Sequence, residues 1–502
     1  MNEDRILRLL EDVVGSEYVS CEEHVLYAYS KSNDPALPER MPDYVVRPGS
    51  TEEVAQILKI ANRYRIPVIP RSGGCCLTGG SRPIEPGGIV LDLTRMNRVL
   101  DIDEDTMTVT VECGITWAQL NAILGERGYY TGCLGPGSGL CACVGGGLSH
   151  HSVGGGGGAK YGPCTANCTG LEVVLPTGVV IKVGAWASNF IDKSFTLYAG
   201  GPMLAGLFFG DNGLLGVKTK AVLRIYPVPE YHACKTFALP TKDADERATR
   251  ILYEWRLKAD HGVLYDAFYF PPVSAIAYAG ALFGQPLIKG WLTEKGMPRD
   301  MAVVFYVIEA HTEETLHANE KLLDKIAMEH GAEPLGEEIH EGNIAKWFYE
   351  KQGHWQIYHP LWCGTGPRII AMTTEHIAPI KRIPMIQKKL DEWQRKHSAE
   401  LAKVKGIAGV GQFLMVEGFN VEVTSGIIAE YRPENMELCR KLWIDQAKFL
   451  TRLGAYYYML GEVLSMAVID AGAFSGPYYE FLRQIKYTLD PNRILSPGKF
   501  YL

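Results

Sequence analysis

"RSGGCCLTGG", residues Arg71–Gly80, follows the apolar run "IPVIP" and precedes "GGIVLDLTRMNRVLDID". The flanking runs read as strands, so four glycines and two adjacent cysteines leave the end of a buried strand. Glycine there permits positive φ and lets the main chain approach another group closely. A turn of this kind points to a ligand rich in phosphate.

Working outward, "RPGSTEEVAQILKIANRYRIPVIP" predicts a helix between two strands. Ser50 or Thr51 can cap it, Glu52 and Glu53 suit its positive end, and Val54, Ile57, Leu58 and Ala61 recur at helical spacing. Downstream, "MTVTVECGI" reads as a strand and "TWAQLNAILGERG" as a short helix. This order predicts an α+β domain with mixed sheets. No G-x-G-x-x-G opens a helix, which disfavours a nicotinamide-type dinucleotide fold.

A second glycine-rich region, "GPGSGLCACVGGGLSHHSVGGGGGAKYG" (Gly135–Gly162), reads as a loop wrapped on a ligand rather than a helix. The hairpin "LEVVLPTGVVIKVG" follows it at once, where a flexible linker would be out of place. A third glycine motif opens "GLFFGDNGLLGVKTKAVLRIYPVP", whose strand ends near Pro227. From residue 231 to 450 the texture changes. Strands such as "MAVVFYVIEA" and "GQFLMVEG" alternate with long amphipathic helices, which predicts an antiparallel sheet covered by helices. His354, Trp355, Tyr358, His359 and Trp362 cluster there, and this half is assigned to the substrate. The last segment, 451–502, ends in "EFLRQIKYTLDPNRILSPGKFYL", a helix stopped by Pro491.

Composition sets limits on function. A chain of 502 residues calls for two or three domains. Its 47% hydrophobic and 21% charged content is that of a globular protein, and a net charge of −7 argues against nucleic-acid or anionic-membrane partners. The acidic start "MNEDRILRLLEDVV" is unlike a signal peptide, so a cytoplasmic location is expected. Twelve cysteines include "CAC" and "CTANC", neither of which has the spacing of a metal cluster, and no metal is expected.

Six motifs in order, "RPGSTEEV…VIPRSGG", "VECGITWAQL", the long glycine loop, "GLEVVLPTG", "GLFFGDNGLLGV" and "LDPNRILSPGK", resemble the vanillyl-alcohol oxidase and p-cresol methylhydroxylase superfamily of FAD enzymes. The resemblance runs from about residue 43 to the end. It implies a PCMH-type FAD-binding domain of two α+β subdomains (1–230), an antiparallel cap domain covered by helices (231–450), and a C-terminal segment returning to the FAD domain. By position, Arg71, Ser72, Gly73, Gly74, Cys75 and Cys76 would contact FAD. Gly145, Gly146, Gly147 and His150 would line the second loop. The stretch Gly213, Gly216 and Val217, with Lys499 of the terminal motif, would complete the site.

The resemblance extends in part to the berberine-bridge-like enzymes, in which a His in R-S-G-G-H and a Cys in G-x-C-P-T-V-G bond covalently to the flavin. Cys75 stands at the first place and Cys141 at the second. Attachment through Cys141 or Cys75 and binding without a covalent link both stay open.

Within the superfamily, a small organic donor gives up a hydride to the flavin. A part resemblance to the glycolate-oxidase D subunit implies a D-lactate or glycolate type of donor, for which Arg368 is the first candidate to grip the carboxylate. The metal-binding H-x-G-D-G-N-x-H segment of those enzymes has "VEGFNVEV" in its place, without histidine. The phenol-oxidising branch places tyrosines near the final strand, where this chain has "GAYYYMLGEV". The expectation is therefore a para-substituted phenol or aromatic alcohol, held by Tyr457 and Tyr458. His359, His376, Glu417 and Glu462 are further charged candidates, and a non-redox role resembling alkyl-glycerone-phosphate synthase is a third alternative. An external electron acceptor (dioxygen, a cytochrome or an iron–sulfur partner) and a homo-oligomer complete the expectation.

Overall fold

The computed structural model describes residues 3–31, 36–198, 200–272, 301–356 and 369–502. Its first layer is a four-stranded sheet in the order Val19–Ser20, Tyr44–Val46, Ile89–Asp92, Val68–Arg71, the last three strands parallel. The predicted helix, Thr51–Tyr64, crosses between two of them. The Ser50 side chain accepts from the Glu53 amide at 3.2 Å, and Val54, Ile57, Leu58 and Ala61 are fully buried. The crossover delivers the chain to Arg71 at the end of its strand, where the glycine turn begins.

A second, antiparallel sheet has the order Val99–Asp103, Thr108–Glu112, Val217–Arg224, Cys168–Val174, Val180–Gly184. The last two strands form the expected hairpin. The run "GGIVLDLTRMNRVLDID" is two strands rather than one. Ile89–Asp92 lies in the first sheet and Val99–Asp103 in the second, separated by a 3-10 turn that the Asp92 side chain caps on the Thr94 amide.

The third sheet has nine strands among the described residues and is antiparallel throughout. Helices Ala244–Lys258, Glu313–Glu329, Ile383–Lys396 and Met436–Arg452 cover one face over the largest apolar core. The other face carries a separate cluster with Phe268, Phe305, Phe348 and Leu414. Its last strand, Tyr456–Tyr457, lies beyond the expected boundary at residue 450, because it pairs with His376–Pro379 as part of the cap sheet.

The chain then packs back on the first half. Leu495 bridges Val68, and the buried Lys486 ammonium donates to the carbonyls of Leu214 and Leu495 and to Asp490 at 2.5–2.9 Å. Among the described residues no helix is long and apolar enough to cross a membrane.

Candidate active site

Loops from all three layers enclose a cleft of about 1070 Å³ that opens to solvent. Its wall includes Arg71 to Leu77, Pro136 to Ser138, Gly145 to Gly147, His150, Asn212, Gly213, Gly216, Glu375, Tyr458 and Met459. The three glycine-rich stretches of the sequence thus meet on one surface. Within the second stretch, however, the chain forms two short helices, Val144–Ser149 and Gly158–Tyr161. Glycine's low helix propensity is overridden there by packing, since Gly145 and Gly147 lie against Cys113 and Trp117.

The glycines permit contact between loops as much as contact with a ligand. A Cβ on Gly73 would stand 1.8 Å from the Cys141 carbonyl oxygen, and Gly74 has φ +65° beneath the Arg71 guanidinium. Along these stretches the glycines leave main chain bare on the wall.

Charged and polar groups punctuate it. Arg71 stacks over the Tyr29 ring at 4.9 Å and donates to the Ser81 carbonyl. Burial alone would push the Cys76 thiol up, but the charge and hydrogen bond of His150 outweigh it and bring it down to about 6. Burial also works against the His150 charge, yet Cys76 raises its proton affinity above the ordinary value. The two therefore form a pair of thiolate–imidazolium character. His150 Nδ1 and Asn212 Oδ1 are buried without hydrogen-bond partners among the described residues. Two orphaned polar atoms beside bare main chain are what a polar, extended cofactor would satisfy, and these residues fit FAD.

Three expected cofactor residues stand off this wall. Val217 is buried at the start of its strand. Lys499 lies behind the loops, its ammonium donating to the carbonyls of Gly80 at 2.6 Å and Asn212 at 2.9 Å, and burial brings its pKa down to about 8. Cys141 is exposed, its thiol against the Ser138 carbonyl at 3.4 Å.

A second, smaller cavity shares Pro136, Gly137, Ser152 and Tyr458 with the cleft and extends under the cap sheet. Val153, Phe268, Phe348 and Leu414 form its apolar wall, and Gln412, Glu422, Thr424 and Tyr458 its polar one. At the junction, Tyr458 donates to Glu375 Oε2 at 2.6 Å, and Glu375 is only 1% exposed. Burial first, and then the nearby Glu375 charge, push the Glu422 carboxyl well up, against the opposing hydrogen bond from Thr424. Gln412 Oε1 is buried and unpartnered among the described residues.

Tyr457 does not join Tyr458. Successive strand residues point to opposite faces, and Tyr457 turns toward the covering helices, where its hydroxyl donates to the Ala447 carbonyl at 2.7 Å. His376 shares that side, held neutral by burial with a pKa lowered to about 4. Glu417 is exposed, and Glu462 pairs with Arg82 and Arg40 away from the cleft wall. Arg368 and His359 lie outside the described residues. Glu375, Glu422 and Gln412 were missed because no motif marks them. Period-2 alternation through "QFLMV" and "NVEVTS" was the available signal.

A flavin-dependent oxidoreductase is the class that this fold and this pair of cavities define. Residues 42–184 match the FAD binding domain family, and residues 472–500 match the C-terminal domain of FAD linked oxidases. The mitochondrial D-lactate dehydrogenase [cytochrome] of Kluyveromyces lactis is 26% identical over 93% of this chain and 75% of its own length. The 4-ethylphenol oxidase of Gulosibacter chungangensis superposes with a TM-score of 0.82 at 20% identity, covering 99% of this chain and 96% of that one. Substrate-bound p-cresol methylhydroxylase superposes with a TM-score of 0.80 at 19% identity over the same shares. The chain thus carries an FAD binding domain and the C-terminal domain of FAD linked oxidases, and it has the fold of p-cresol methylhydroxylase.

Proposed function

We propose that this protein oxidises a small, neutral, hydroxyl-bearing aromatic donor, a para-substituted phenol or an aromatic alcohol. The observation that carries this reading is the Tyr458–Glu375 pair at the junction of the two cavities. FAD, when bound in the cleft, supplies the hydride acceptor. The aromatic and aliphatic wall of the second cavity suits a flat ring, which stacking can orient at low entropic cost. A donor hydroxyl at the junction meets the Tyr458 oxygen. As its C–H bond breaks, its proton passes to Tyr458 Oη while the Tyr458 proton moves to Glu375 Oε2. The donor thus loses a hydride and a proton, and the proton ends on Glu375. Carboxyl groups on this wall disfavour an anionic donor, because a second carboxylate would be brought beside them.

Similarity to D-lactate dehydrogenase favours the 2-hydroxy-acid reading as the alternative, with Arg368 as its carboxylate grip. Anaerobic addition of donors to the yellow holoenzyme separates the two. Vanillyl alcohol and 4-alkylphenols should bleach the flavin rapidly, and D-lactate and glycolate should not. The reverse pattern would replace the aromatic assignment with the hydroxy acid. Electrons then leave to an external acceptor.

A further inference from the structure

Two cysteines from separate cofactor-cleft loops stand together with no role in the chemistry above. Cys75 lies on the cleft wall, and Cys141 lies on the exposed flank of the neighbouring loop. Both thiols border one residue: Cys75 Sγ is 3.5 Å from Ser138 Oγ, and Cys141 Sγ is 3.4 Å from the Ser138 carbonyl oxygen. The loops are also in direct main-chain contact, with the Cα of Gly73 packed against the Cys141 carbonyl. Arg71–Gly80 and Pro136–Ser149 are therefore held face to face by contacts alone.

We propose that Cys75 and Cys141 are a modification site, a dithiol that a low-molecular-weight disulfide oxidises reversibly to a bond tying the two cofactor loops together. The neighbouring Cys75 thiol lowers the proton affinity of Cys141, and Cys141 together with burial raises that of Cys75. Cys141 is thus both the more exposed and the more readily ionised partner, and it attacks the small disulfide R–S–S–R as thiolate, releasing one RSH. Cys75 then gives up its proton and displaces the second RSH from the mixed disulfide. Two S–H bonds and one small-molecule S–S bond are lost, and one protein S–S bond and two RSH are formed. A covalent tie between the loops restricts the opening through which an extended cofactor leaves.

The test treats holoenzyme with oxidised glutathione, maps peptides without reduction, and follows FAD release into an excess of an FAD-binding apoenzyme before and after dithiothreitol. The expected result is a Cys75–Cys141 cross-linked peptide, FAD release slowed by about tenfold, and reversal of both by dithiothreitol. Cys75→Ser and Cys141→Ser should each abolish the cross-link and the slowing, and Cys141→Ser, off the cleft wall, should retain FAD and the native melting temperature. Three outcomes overturn the proposal: a stable glutathione adduct on Cys141 with no cross-link, a cross-link that leaves FAD release unchanged, or a flavin found bonded to Cys141. Peptide mapping keeps the exposed Cys21 from confusing the thiol count.

Discussion

The two cavities are built differently, although they share a wall. The larger is lined chiefly by the glycine-rich loops of the first half, and the smaller sets side chains of the cap domain against the far side of one of those loops. A main-chain wall recognises a ligand by shape and by donors that every residue has, so it suits a cofactor that does not vary. A side-chain wall is rewritten by single substitutions.

The comparison is broken most severely at Gly73. Alanine there must displace the Cys141 carbonyl, a clash that a flexible side chain cannot relieve. Gly73→Ala should lose most of its FAD, read as the ratio of flavin to protein absorbance. Gly125→Ala, whose Cβ meets nothing within 4 Å, should keep its full complement. Equal retention in both would show that the cleft tolerates side chains in place of bare backbone.

On the other wall, Glu375→Gln removes the proton's destination. Flavin reduction by the best donor should slow by roughly ten- to a thousandfold, the scale for losing one catalytic hydrogen-bonding group, with FAD content unchanged. Gln412→Leu is a milder change. It should raise the donor's apparent dissociation constant by about tenfold or less and leave the limiting reduction rate alone, because Gln412 lies beyond the junction.

The first wall was legible in the sequence and most of the second was not, for a physical reason. Glycines appear as runs, and the stretches that hold "RSGG", "VGGG" and "GDNG" are brought together by the fold, although "VGGG" opens a helix. Side chains on a sheet face are spaced two apart and lie on strands distant in the chain. Gln412 and Glu422 lie on the two strands of one hairpin, but Glu375 reaches them only because the strand that follows it, His376–Pro379, pairs with the second of those strands, which no local pattern encodes. Tyr457 and Tyr458 show the same limit at close range. Composition made both candidates, and only the pleat separates them. The short helix Val144–Ser149 was hidden because its propensity is poor and its packing supplies the stability.

The smallest effect expected is on stability. The folded state raises the Glu422 proton affinity, so its neutral form stabilises the fold fully below the unfolded carboxyl value of about 4.3, and that stabilisation is lost as pH rises through the higher folded value. Glu422→Gln should match the parent melting temperature near pH 4 and exceed it by roughly 2–4 °C at pH 8. A gap that does not change with pH would mean that Glu422 is not held neutral by its surroundings.

The division between the two walls is tested most directly by one paired measurement, stopped-flow flavin reduction in Tyr458→Phe and Tyr457→Phe side by side. Tyr458→Phe should slow reduction by roughly ten- to a thousandfold with normal FAD content and melting temperature. Tyr457→Phe should reduce flavin at the parent rate and lose only about 0.5–1.5 kcal/mol of stability, the worth of its bond to the Ala447 carbonyl. Equal rates in the two variants, or a slower Tyr457→Phe, would contradict the placement of the donor on the Tyr458 face of the cap sheet.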